Sequence, residues 1–332
     1  MNRSRVLVTG ASGFLGSHIC DVLHEAGYDV HALVRPTSSL QWLQHDWLCI
    51  HKVDYNDIQL ISHILSKVDY VVHCAGVMAT TSRNGRHSRQ TNLDITRMLA
   101  EESAKAGIKR FIFTSSLAAG GPGQSSEART EDNSDNPISN YGRSKKAAEC
   151  MLASMSDNLF SVILRFSMIY GPRDSNILNF FKRATTRVVP LIGRNPIYTS
   201  MVHVKDAARA VVASLKADIE SGSLYQITDG VRYTIDSIYG HIEEALEKDK
   251  EARRIKFPMW LVMLKAWWNH DVLNKRGISP DQVRQFKGRY WVASPEKARK
   301  DLDWRPEIDI KKGLADTVKW YLTQGWLPNT PP

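Results

Sequence analysis

The residues VTGASGFLG at positions 8–16 decide the fold, because three glycines spaced as GxxGxxG directly follow an apolar run. That run, Arg5–Thr9, is a predicted strand, and Phe14 to Gly27 is a predicted amphipathic helix. A dinucleotide pyrophosphate needs backbone N–H groups at a helix N-terminus, and glycine lets the backbone approach it closely. The motif therefore predicts a nucleotide-binding turn, whose cofactor contacts are expected from Gly10, Ser12, Gly13, Phe14, Leu15 and Gly16.

Further apolar runs continue the pattern, and helical stretches separate most of them. The additional predicted strands are Asp29–Val34, Trp47–Lys52, Val68–His73, Lys109–Ser115 and Leu159–Phe166. Such an alternation indicates βαβ units with right-handed crossovers, and the nearly continuous apolar character indicates strands covered on both faces. The predicted fold class is α/β, a Rossmann doubly wound parallel sheet.

The pattern changes after Gly171. The elements predicted beyond it are a helix at Asp174–Arg187, a short strand at Met201–Val204, a helix at Lys205–Lys216 and a last sheet strand at Leu224–Thr228. From Tyr233 onward the sequence is mainly helical. We therefore expect a Rossmann domain formed by 1–171 plus 199–230, and a smaller, mostly helical substrate domain formed by 172–198 plus 231–332.

The composition is that of a folded globular chain. The 332 residues are 42% hydrophobic and 24% charged, which excludes a disordered protein. Lys and Arg number 44 against 35 Asp and Glu, a net charge of +9. These cations are scattered and no nucleic-acid motif accompanies them, so no nucleic-acid partner is predicted. Anionic cofactors or substrates account for the charge equally well.

The cysteines and the apolar segments exclude further classes. Cys20, Cys49, Cys74 and Cys150 stand far apart without a CxxC pair, so neither a metal site nor a disulfide framework is predicted. The most apolar segment, Phe257–Trp268, is shorter than the ~20 residues of a spanning helix. We expect a cytoplasmic protein with reduced thiols and no membrane span.

The end of the second strand predicts which dinucleotide is bound. NAD enzymes carry an acid about 20 residues after the glycines to hold the ribose 2′-hydroxyl, whereas NADP enzymes use an arginine. No acid occurs between Val30 and Ser39, and Asp29 lies too early. Arg35 can pair with a 2′-phosphate, unless it is an ordinary solvated surface residue. NADP(H) is therefore predicted over NAD(H).

Other cofactor contacts are expected where later strands end. Asp54 follows the third strand and can accept from the adenine amino group, with Tyr55 beside it; the alternative for Asp54 is a helix N-cap before Ile58. Small residues after the fourth strand permit close approach of the nicotinamide side. These residues are Cys74, Ala75 and Gly76.

The catalytic prediction rests on Tyr141 and Lys145, which form a YxxxK motif. The i, i+4 spacing places both side chains on one helix face. A free tyrosine has a pKa of about 10, and a neighbouring ammonium is expected to bring that pKa closer to neutrality. The third participant is a hydroxyl at the end of the fifth strand, where Thr114 also lies. Ser116 is the choice, with Ser115 as the fallback.

The chain resembles the extended short-chain dehydrogenase/reductase family over nearly its whole length. The matching segments are VTGASGFLGSH, VDYVVHCAG, FIFTSS, YGRSKKAAE, LRFSMIYGP, MVHVKDAARA and ASPEKARKDLDWRPEIDIKKGLADTVKW. The resemblance implies Ser116, Tyr141 and Lys145 as catalytic residues, and further cofactor contacts from Asn92, Thr114, Phe166 and Met168. Phe166 departs from the proline of many members. The resemblance also implies dimerisation through the helices that hold Asn92 and Tyr141.

The family contains both carbonyl reductases and sugar-nucleotide enzymes. Ser116–Gly121 (SLAAGG) lacks the acidic pair of dehydratases, and Pro196–Ser200 (PIYTS) lacks the arginine of many sugar-nucleotide members. These departures resemble the dihydroflavonol reductase and 3β-hydroxysteroid dehydrogenase branch. We therefore expect an NAD(P)H-dependent oxidoreductase that acts on a ketone or aldehyde of a hydrophobic small molecule, with Tyr141 as general acid/base. The alternatives are a sugar-nucleotide epimerase or dehydratase and a non-catalytic NADP(H) sensor.

Two segments bear on the substrate. Apolar residues of the segment Phe257–Trp268 are a candidate pocket wall, although helix core or a subunit contact is the more common role. Arg83, Arg86, His87 and Arg89 follow the fourth strand and can attract an anionic substrate, although a solvated basic loop is the more common case.

Overall fold

The structure is a computed structural model that describes residues 3–76, 85–193, 195–268, 280–285 and 287–328, without the side chains of residues 85–92, 265–267, 280 and 282. The strands are β1 (Arg5–Thr9), β2 (Asp29–Val34), β3 (Cys49–Lys52), β4 (Tyr70–His73), β5 (Arg110–Ser116), β6 (Ser161–Phe166), β7 (Met168–Tyr170), β8 (Val188–Ile192), β9 (Tyr198–Thr199), β10 (Met201–His203), β11 (Ser223–Ile227), β12 (Tyr233–Thr234), β13 (Arg253–Phe257) and β14 (Tyr290–Trp291). The helices are α1 (Phe14–Glu25), α2 (Ile58–Leu65), α3 (Gly85–Lys105), α4 (Leu117–Gly120), α5 (Asn140–Ala153), α6 (Leu178–Ala184), α7 (Val204–Lys216), α8 (Ile235–Ala245), α9 (Met259–Trp267), α10 (Pro280–Gln285), α11 (Glu296–Asp301) and α12 (Ile310–Thr323).

The central sheet has seven strands in the order β11-β6-β5-β4-β1-β2-β3. Every pairing in it is parallel. The chain order reverses at β1, which pairs with both β2 and β4, and ligands of such sheets bind at the carboxyl ends beside this reversal. The predicted Rossmann sheet is therefore confirmed, and the turn after β1 lies next to the residues that follow β4.

Both faces of the sheet are covered by apolar side chains, as the continuous hydrophobic runs indicated. On one face, Val6 and Val72 pack in a cluster with Val211 of α7. On the other face, Leu7 and Phe111 pack in a second cluster to which α2, α3 and α5 also contribute. Neighbouring residues of one strand point to opposite faces, so Val6 and Leu7 enter different clusters.

A third apolar cluster lies in the C-terminal half. It combines side chains from α6, α8 and α12, among them Phe181, Tyr239 and Leu314. Short strands accompany these helices: β9 pairs with β12 and β14, and β13 pairs with β8. The region is thus mainly helical, as expected, with small sheets that the sequence pattern did not predict.

The predicted helix at Asp174–Arg187 is shorter in the structure, because α6 begins at Leu178. Asp174 is buried, and its carboxylate accepts from the backbone N–H of Asn176 at 2.7 Å. This side-chain turn competes with helical backbone bonds and delays the helix. The helix α3, in contrast, is long and begins at Gly85. Within the described part of the chain, no helix is both long and apolar enough to cross a bilayer.

Candidate active site

The glycine turn connects β1 to α1 in the geometry that a dinucleotide requires. Gly10 has φ +69°, and a Cβ on it would approach the backbone nitrogen of Ala75 to 2.7 Å. The N–H of Gly13 donates to the Gly10 carbonyl at 3.0 Å and closes the turn. Among the described residues no side chain caps α1, and its first turn holds no acid. The first turn of α1 is therefore suited to a pyrophosphate, and the residues fit a dinucleotide.

The residues predicted around the adenosine end lie after β2 and β3. Arg35 is exposed, directly after β2, whereas Asp29 at the start of that strand lies 3.6 Å from the guanidinium of Arg5. Burial raises the pKa of Tyr55 to about 12, although a hydrogen bond with Thr9 and the charge of Arg35 oppose the rise. Tyr55 therefore lies next to Thr9 at the end of β1, within the electrostatic influence of Arg35.

Asp54 does not cap a helix. Its carboxylate accepts from the backbone and side-chain nitrogens of Asn56, both at 2.9 Å. The N-cap of α2 is Asp57, which accepts from the N–H of Leu60 at 3.1 Å. The helix-cap alternative for Asp54 is therefore wrong, and its exposed carboxylate remains a candidate adenine contact.

His73, the last residue of β4, is a buried residue that connects neighbouring elements, and no sequence motif indicates this role. Its Nδ1 lies 2.7 Å from the hydroxyl of Thr9 and its Nε2 lies 3.0 Å from that of Thr96. Burial lowers the pKa of His73 to about 3, and the nearby charge of Lys145 adds to this effect. A neutral imidazole thus links β1, β4 and α3 directly beneath Cys74. The sequence feature that could have indicated this role is a single histidine at the end of an apolar strand.

Lys145 reaches from α5 into the floor of the site. Its Nζ donates to the Thr114 carbonyl at 2.7 Å and lies 4.6 Å from the centre of the Phe113 ring. Burial lowers the pKa of Lys145 to about 8, and the charges of Cys74 and Glu149 oppose this shift. The ammonium also lies near Gly76, since a Cβ built there would be 3.7 Å from Nζ. The structure thus brings the lysine of α5 next to two of the predicted strand-end segments, the end of β5 and the residues after β4.

The side chains of Tyr141 and Ser116 lie close enough for Ser116 to influence the phenol. Burial raises the pKa of Tyr141, and the hydrogen bond with Ser116 opposes the rise. The expectation that the lysine would bring this pKa closer to neutrality is therefore wrong for the structure as it stands. The ammonium of Lys145 is held by a carbonyl of β5, and removal of the phenol from water is the main cause of the raised pKa of Tyr141.

Ser115 and Ser116, the two candidate serines at the end of β5, have different neighbours in the structure. The hydroxyl of Ser115 donates to a buried carboxylate oxygen of Glu149 at 2.5 Å. Ser116 instead faces Tyr141, and its oxygen accepts from the backbone N–H of Ala118 at 3.2 Å. This oxygen accepts the backbone bond with one lone pair, so the hydroxyl proton points elsewhere and can be directed at a substrate oxygen that displaces the contact with Tyr141. Of the two serines, Ser116 is the one next to Tyr141, and it stays the predicted hydroxyl of the site, whereas Ser115 is bonded to the buried Glu149.

Backbone contacts set the position of α5 relative to Ser116. A Cβ at Gly142 would collide with the carbonyl oxygen of Ala118, so α5 packs directly on the main chain of α4. At the start of α5, the Ser139 hydroxyl accepts from the N–H of Gly142 at 3.0 Å. The carboxylate of Asp281, in α10, accepts from the N–H of Asn140 at 2.8 Å. A residue of the C-terminal half thus helps to orient the tyrosine helix.

A buried ionic network supports α5 from behind. Arg165 bonds both oxygens of Glu149, at 2.9 and 2.6 Å, and both oxygens of Asp135, at 2.8 and 2.7 Å. Lys146 lies 2.5 Å from Asp135. No local sequence pattern indicates this network, because its members come from β6, α5 and the loop before α5. It anchors the residue one turn after Lys145.

The remaining predicted contacts differ in what the structure shows of them. Asn92 lies in α3, and its side chain is outside the described residues. Phe166 is buried in the core with Leu164 and Ile227, so a cofactor contact from it would use the backbone. Met168 is half-buried in β7. The basic segment with Arg83, Arg86, His87 and Arg89 has no described side chains.

The apolar segment proposed as a pocket wall is largely exposed. Trp260 is 65% exposed, and Leu264 is 53% exposed. The side chain of Trp267 is outside the described residues. These side chains form an apolar surface on α9 rather than helix core or a closed pocket.

The nucleotide turn, the Tyr–Lys pair and the paired hydroxyl at one sheet edge define a protein of the short-chain dehydrogenase/reductase class. The model of the NAD dependent epimerase/dehydratase family matches residues 6–228, and the chain belongs to this family. Its extended architecture and the predicted resemblance are thereby confirmed.

Relatives with different activities are similar over nearly the whole chain. A ceramide reductase of Caulobacter vibrioides is 26% identical, over 98% of this chain and 97% of that protein. A putative dihydroflavonol 4-reductase of Synechocystis is 29% identical, over 96% and 95% of the two chains. The structure of a UDP-glucose 4-epimerase from Thermotoga maritima superposes with a TM-score of 0.79 at 24% identity, over 96% and 99%. The family therefore establishes a nicotinamide-dinucleotide protein, and its relatives include both reductases and epimerases.

Proposed function

We propose that the protein is an NADPH-dependent reductase of a ketone or aldehyde on a hydrophobic small molecule, and that it also catalyses the reverse oxidation. The observation that carries the proposal is that the side chains of Ser116 and Tyr141 lie close enough to interact at the carboxyl edge of β5. Two hydroxyls placed together beside a dinucleotide turn can hold one carbonyl oxygen. When bound there, the reduced cofactor supplies the hydride that the carbonyl carbon accepts.

Each residue of the site has a distinct role in this proposal. Ser116 donates a hydrogen bond to the carbonyl oxygen, and Tyr141 transfers its proton to that oxygen as negative charge develops. The high pKa of Tyr141 keeps the phenol protonated near neutrality, which suits an acid. Lys145 supplies a buried positive charge on the same helix face, and it is held in place by the carbonyl of Thr114.

The preference for NADPH rests on Arg35. Its guanidinium stands at the end of β2, where a 2′-phosphate is expected, and a planar fork binds phosphate in a bidentate manner. Asp29, the nearest preceding acid, is engaged with Arg5 at the other end of the strand. No acidic residue between Val30 and Ser39 is present to favour a ribose hydroxyl.

A hydrophobic substrate is supported by the residues near Ser116. The segment after Ser116 has no acid for the expulsion of water from a sugar. The exposed apolar surface of α9 is a further place for contact with an apolar molecule.

Epimerisation of a sugar nucleotide is the second candidate, and the structural similarity to a UDP-glucose 4-epimerase favours it. The same tyrosine and lysine serve a reversible oxidation of a sugar hydroxyl. The two functions differ in their consumption of cofactor, because an epimerase returns the hydride to its substrate. They also differ in the substrate, since an epimerase must hold a diphosphate.

The experiment is to follow NADPH oxidation by the full-length protein with a panel of hydrophobic ketones and aldehydes. We expect turnover with some members of the panel, and we expect Tyr141→Phe to lower kcat by about 10²–10⁴-fold. The variant should bind NADPH with unchanged affinity, because the lost hydroxyl acts on the substrate. Turnover that survives in Tyr141→Phe contradicts the catalytic assignment. Interconversion of UDP-sugars without net NADPH oxidation identifies the epimerase instead.

The cofactor preference is tested by fluorescence titration with NADPH and NADH. Arg35→Ala should weaken NADPH binding by about tenfold or more, because a charge-assisted phosphate contact is lost, and should leave NADH binding unchanged. Arg187→Ala, at an exposed position in the C-terminal half, is the matched control. Equal affinities of the wild-type protein for both cofactors reject the preference.

A further inference from the structure

A cluster of metal-ligating side chains lies at the outer edge of the central sheet, away from the active site. β3 is the edge strand of the sheet, and Cys49 and His51, which are two residues apart, lie on the same face of it. His31 of β2 is in register with Cys49 on the neighbouring strand. One potential ligand atom from each of the three residues lies within 4.8 Å of the others.

The separations between these atoms are close to those of a tetrahedral site. His31 Nδ1 lies 2.9 Å from His51 Nε2, and Cys49 Sγ lies 3.5 Å from the same nitrogen. Zinc binds nitrogen at about 2.0–2.1 Å and sulfur at about 2.3 Å, so tetrahedral ligands lie about 3.3 Å apart for two nitrogens and about 3.6 Å apart for nitrogen and sulfur. Small side-chain rotations are therefore sufficient to receive an ion.

A carboxylate supports one of the imidazoles from the opposite side. Asp29 Oδ2 lies 3.7 Å from Nε2 of His31, the ring nitrogen that does not face His51. Histidine ligands commonly direct their second nitrogen toward a carboxylate, which fixes the ring and its tautomer. Cys49 is exposed, so an ion can enter from solvent and complete its coordination with water.

The positive charges around the cluster lower its affinity for a cation. Arg5 lies 3.6 Å from Asp29 and shares its carboxylate with His31. Lys67 is a second cation near the cluster, and its charge acts on His51. A thiolate formed at Cys49 offsets part of this positive charge. The thiol loses its proton to solvent when the metal–sulfur bond forms, so that one proton is released for each ion bound.

We propose that His31, Cys49 and His51 form a binding site for a divalent cation of the zinc type, with water as the fourth ligand. Two histidine nitrogens and one sulfur form a donor set that binds zinc in preference to magnesium or calcium. The bound ion joins the edge strand β3 to β2 and so stabilises the side of the sheet that also carries Arg35. The sequence predicted no metal site, because its ligands come from separate strands without a motif spacing.

The test uses the full-length protein, freed of metal with a chelator and titrated with Co²⁺ and then Zn²⁺. We expect one Co²⁺ per chain, a thiolate-to-metal absorption band in the near ultraviolet and the visible bands of a tetrahedral ion. Zn²⁺ should displace Co²⁺ and abolish these bands. Cys49→Ser should lose the thiolate band and weaken Zn²⁺ binding by about tenfold or more. Cys150→Ser, at another exposed cysteine, is the matched control and should behave as wild type.

Two results of this titration would contradict the proposed metal site. Absence of the thiolate band in the wild-type protein, or Zn²⁺ binding that Cys49→Ser leaves unchanged, overturns the proposal. Circular dichroism checks that each variant is folded, and His31→Asn provides a second ligand variant on the other strand. His31→Asn should also weaken Zn²⁺ binding, and thermal unfolding should show Zn²⁺ stabilising wild type more than either ligand variant.

Discussion

The carboxylate of Asp281 accepts a hydrogen bond from the backbone N–H of Asn140 at 2.8 Å. This bond joins a helix of the C-terminal half to the first turn of α5, which carries Tyr141 and Lys145. Asp281 is 8% exposed, so the bond is shielded from water. The orientation of the tyrosine thus depends on a residue far along the chain, in the half expected to bind the substrate.

Removal of this cap should impair turnover more than cofactor binding. We expect Asp281→Ala to lower kcat for carbonyl reduction by about tenfold or more, because a small displacement of Tyr141 misaligns proton transfer. Asp281→Asn keeps an acceptor oxygen and should recover most of the rate. Asp249→Ala, at an exposed acid of the same half, is the control. Steady-state kinetics that show equal losses for Ala and Asn contradict a positioning role.

Lys145 predicts a pH dependence of the proposed reaction. Burial lowers its pKa to about 8, so the side chain is an ammonium below that pH and a neutral amine above it. If the positive charge supports catalysis, kcat/KM should fall as the pH rises above about 8. Lys145→Arg keeps its charge at every accessible pH and should remove this decline, at a lower overall rate. A decline of the same midpoint in Lys145→Arg would assign the titration to another group.

Two glycine substitutions separate backbone strain from loss of the cofactor site. Gly10 and Gly27 both have positive φ, so alanine at either position is strained to a similar degree. At Gly10 the new Cβ would also meet Ala75 at 2.7 Å, whereas Gly27 has no atom within 4 Å among those described. We expect both variants to lose stability in urea unfolding, with Gly10→Ala losing more. Only Gly10→Ala should lose NADPH affinity; equal affinities would contradict the assigned turn.

The ionic network predicts a strong coupling between two buried residues. The side chains of Arg165 and Glu149 are 3% and 2% exposed, so removal of one partner leaves an uncompensated charge. We expect Arg165→Met to lower the free energy of unfolding by about 3–5 kcal/mol. Glu149→Gln added to Arg165→Met should restore part of this loss, so the two effects should not add. Lys311→Met, which removes an exposed ion pair with Glu244, is a control that should change stability little.

The sequence predicted the elements that repeat a simple pattern. The bounds of β1 and β2 agree exactly in residue number with the predicted strands, because continuous apolar runs end at glycine or at a charged residue. The glycine turn, Tyr141 and Lys145 were found for a related reason, since their spacing within one short segment specifies the contact. The sheet order then brings these segments to one edge.

The features that were missed depend on contacts between distant segments. His73 and Arg165 are both polar residues inside apolar strands, and nothing local shows that their partners are Thr9, Glu149 and Asp135. The raised pKa of Tyr141 was also missed, because burial is a property of the folded chain. A motif therefore identifies the chemical groups of the site but not the environment that adjusts them.

Because α5 rests on the main chain of α4 at Gly142, a contact between backbones helps to set the distance between Ser116 and Tyr141. Leu117 and Trp291, by contrast, line a small cavity beside α4 with their side chains. A replacement at such a lining position changes the cavity without altering the backbone contact between the two helices. Laboratory evolution of the proposed reductase should therefore begin with the cavity-lining side chains rather than with Gly142.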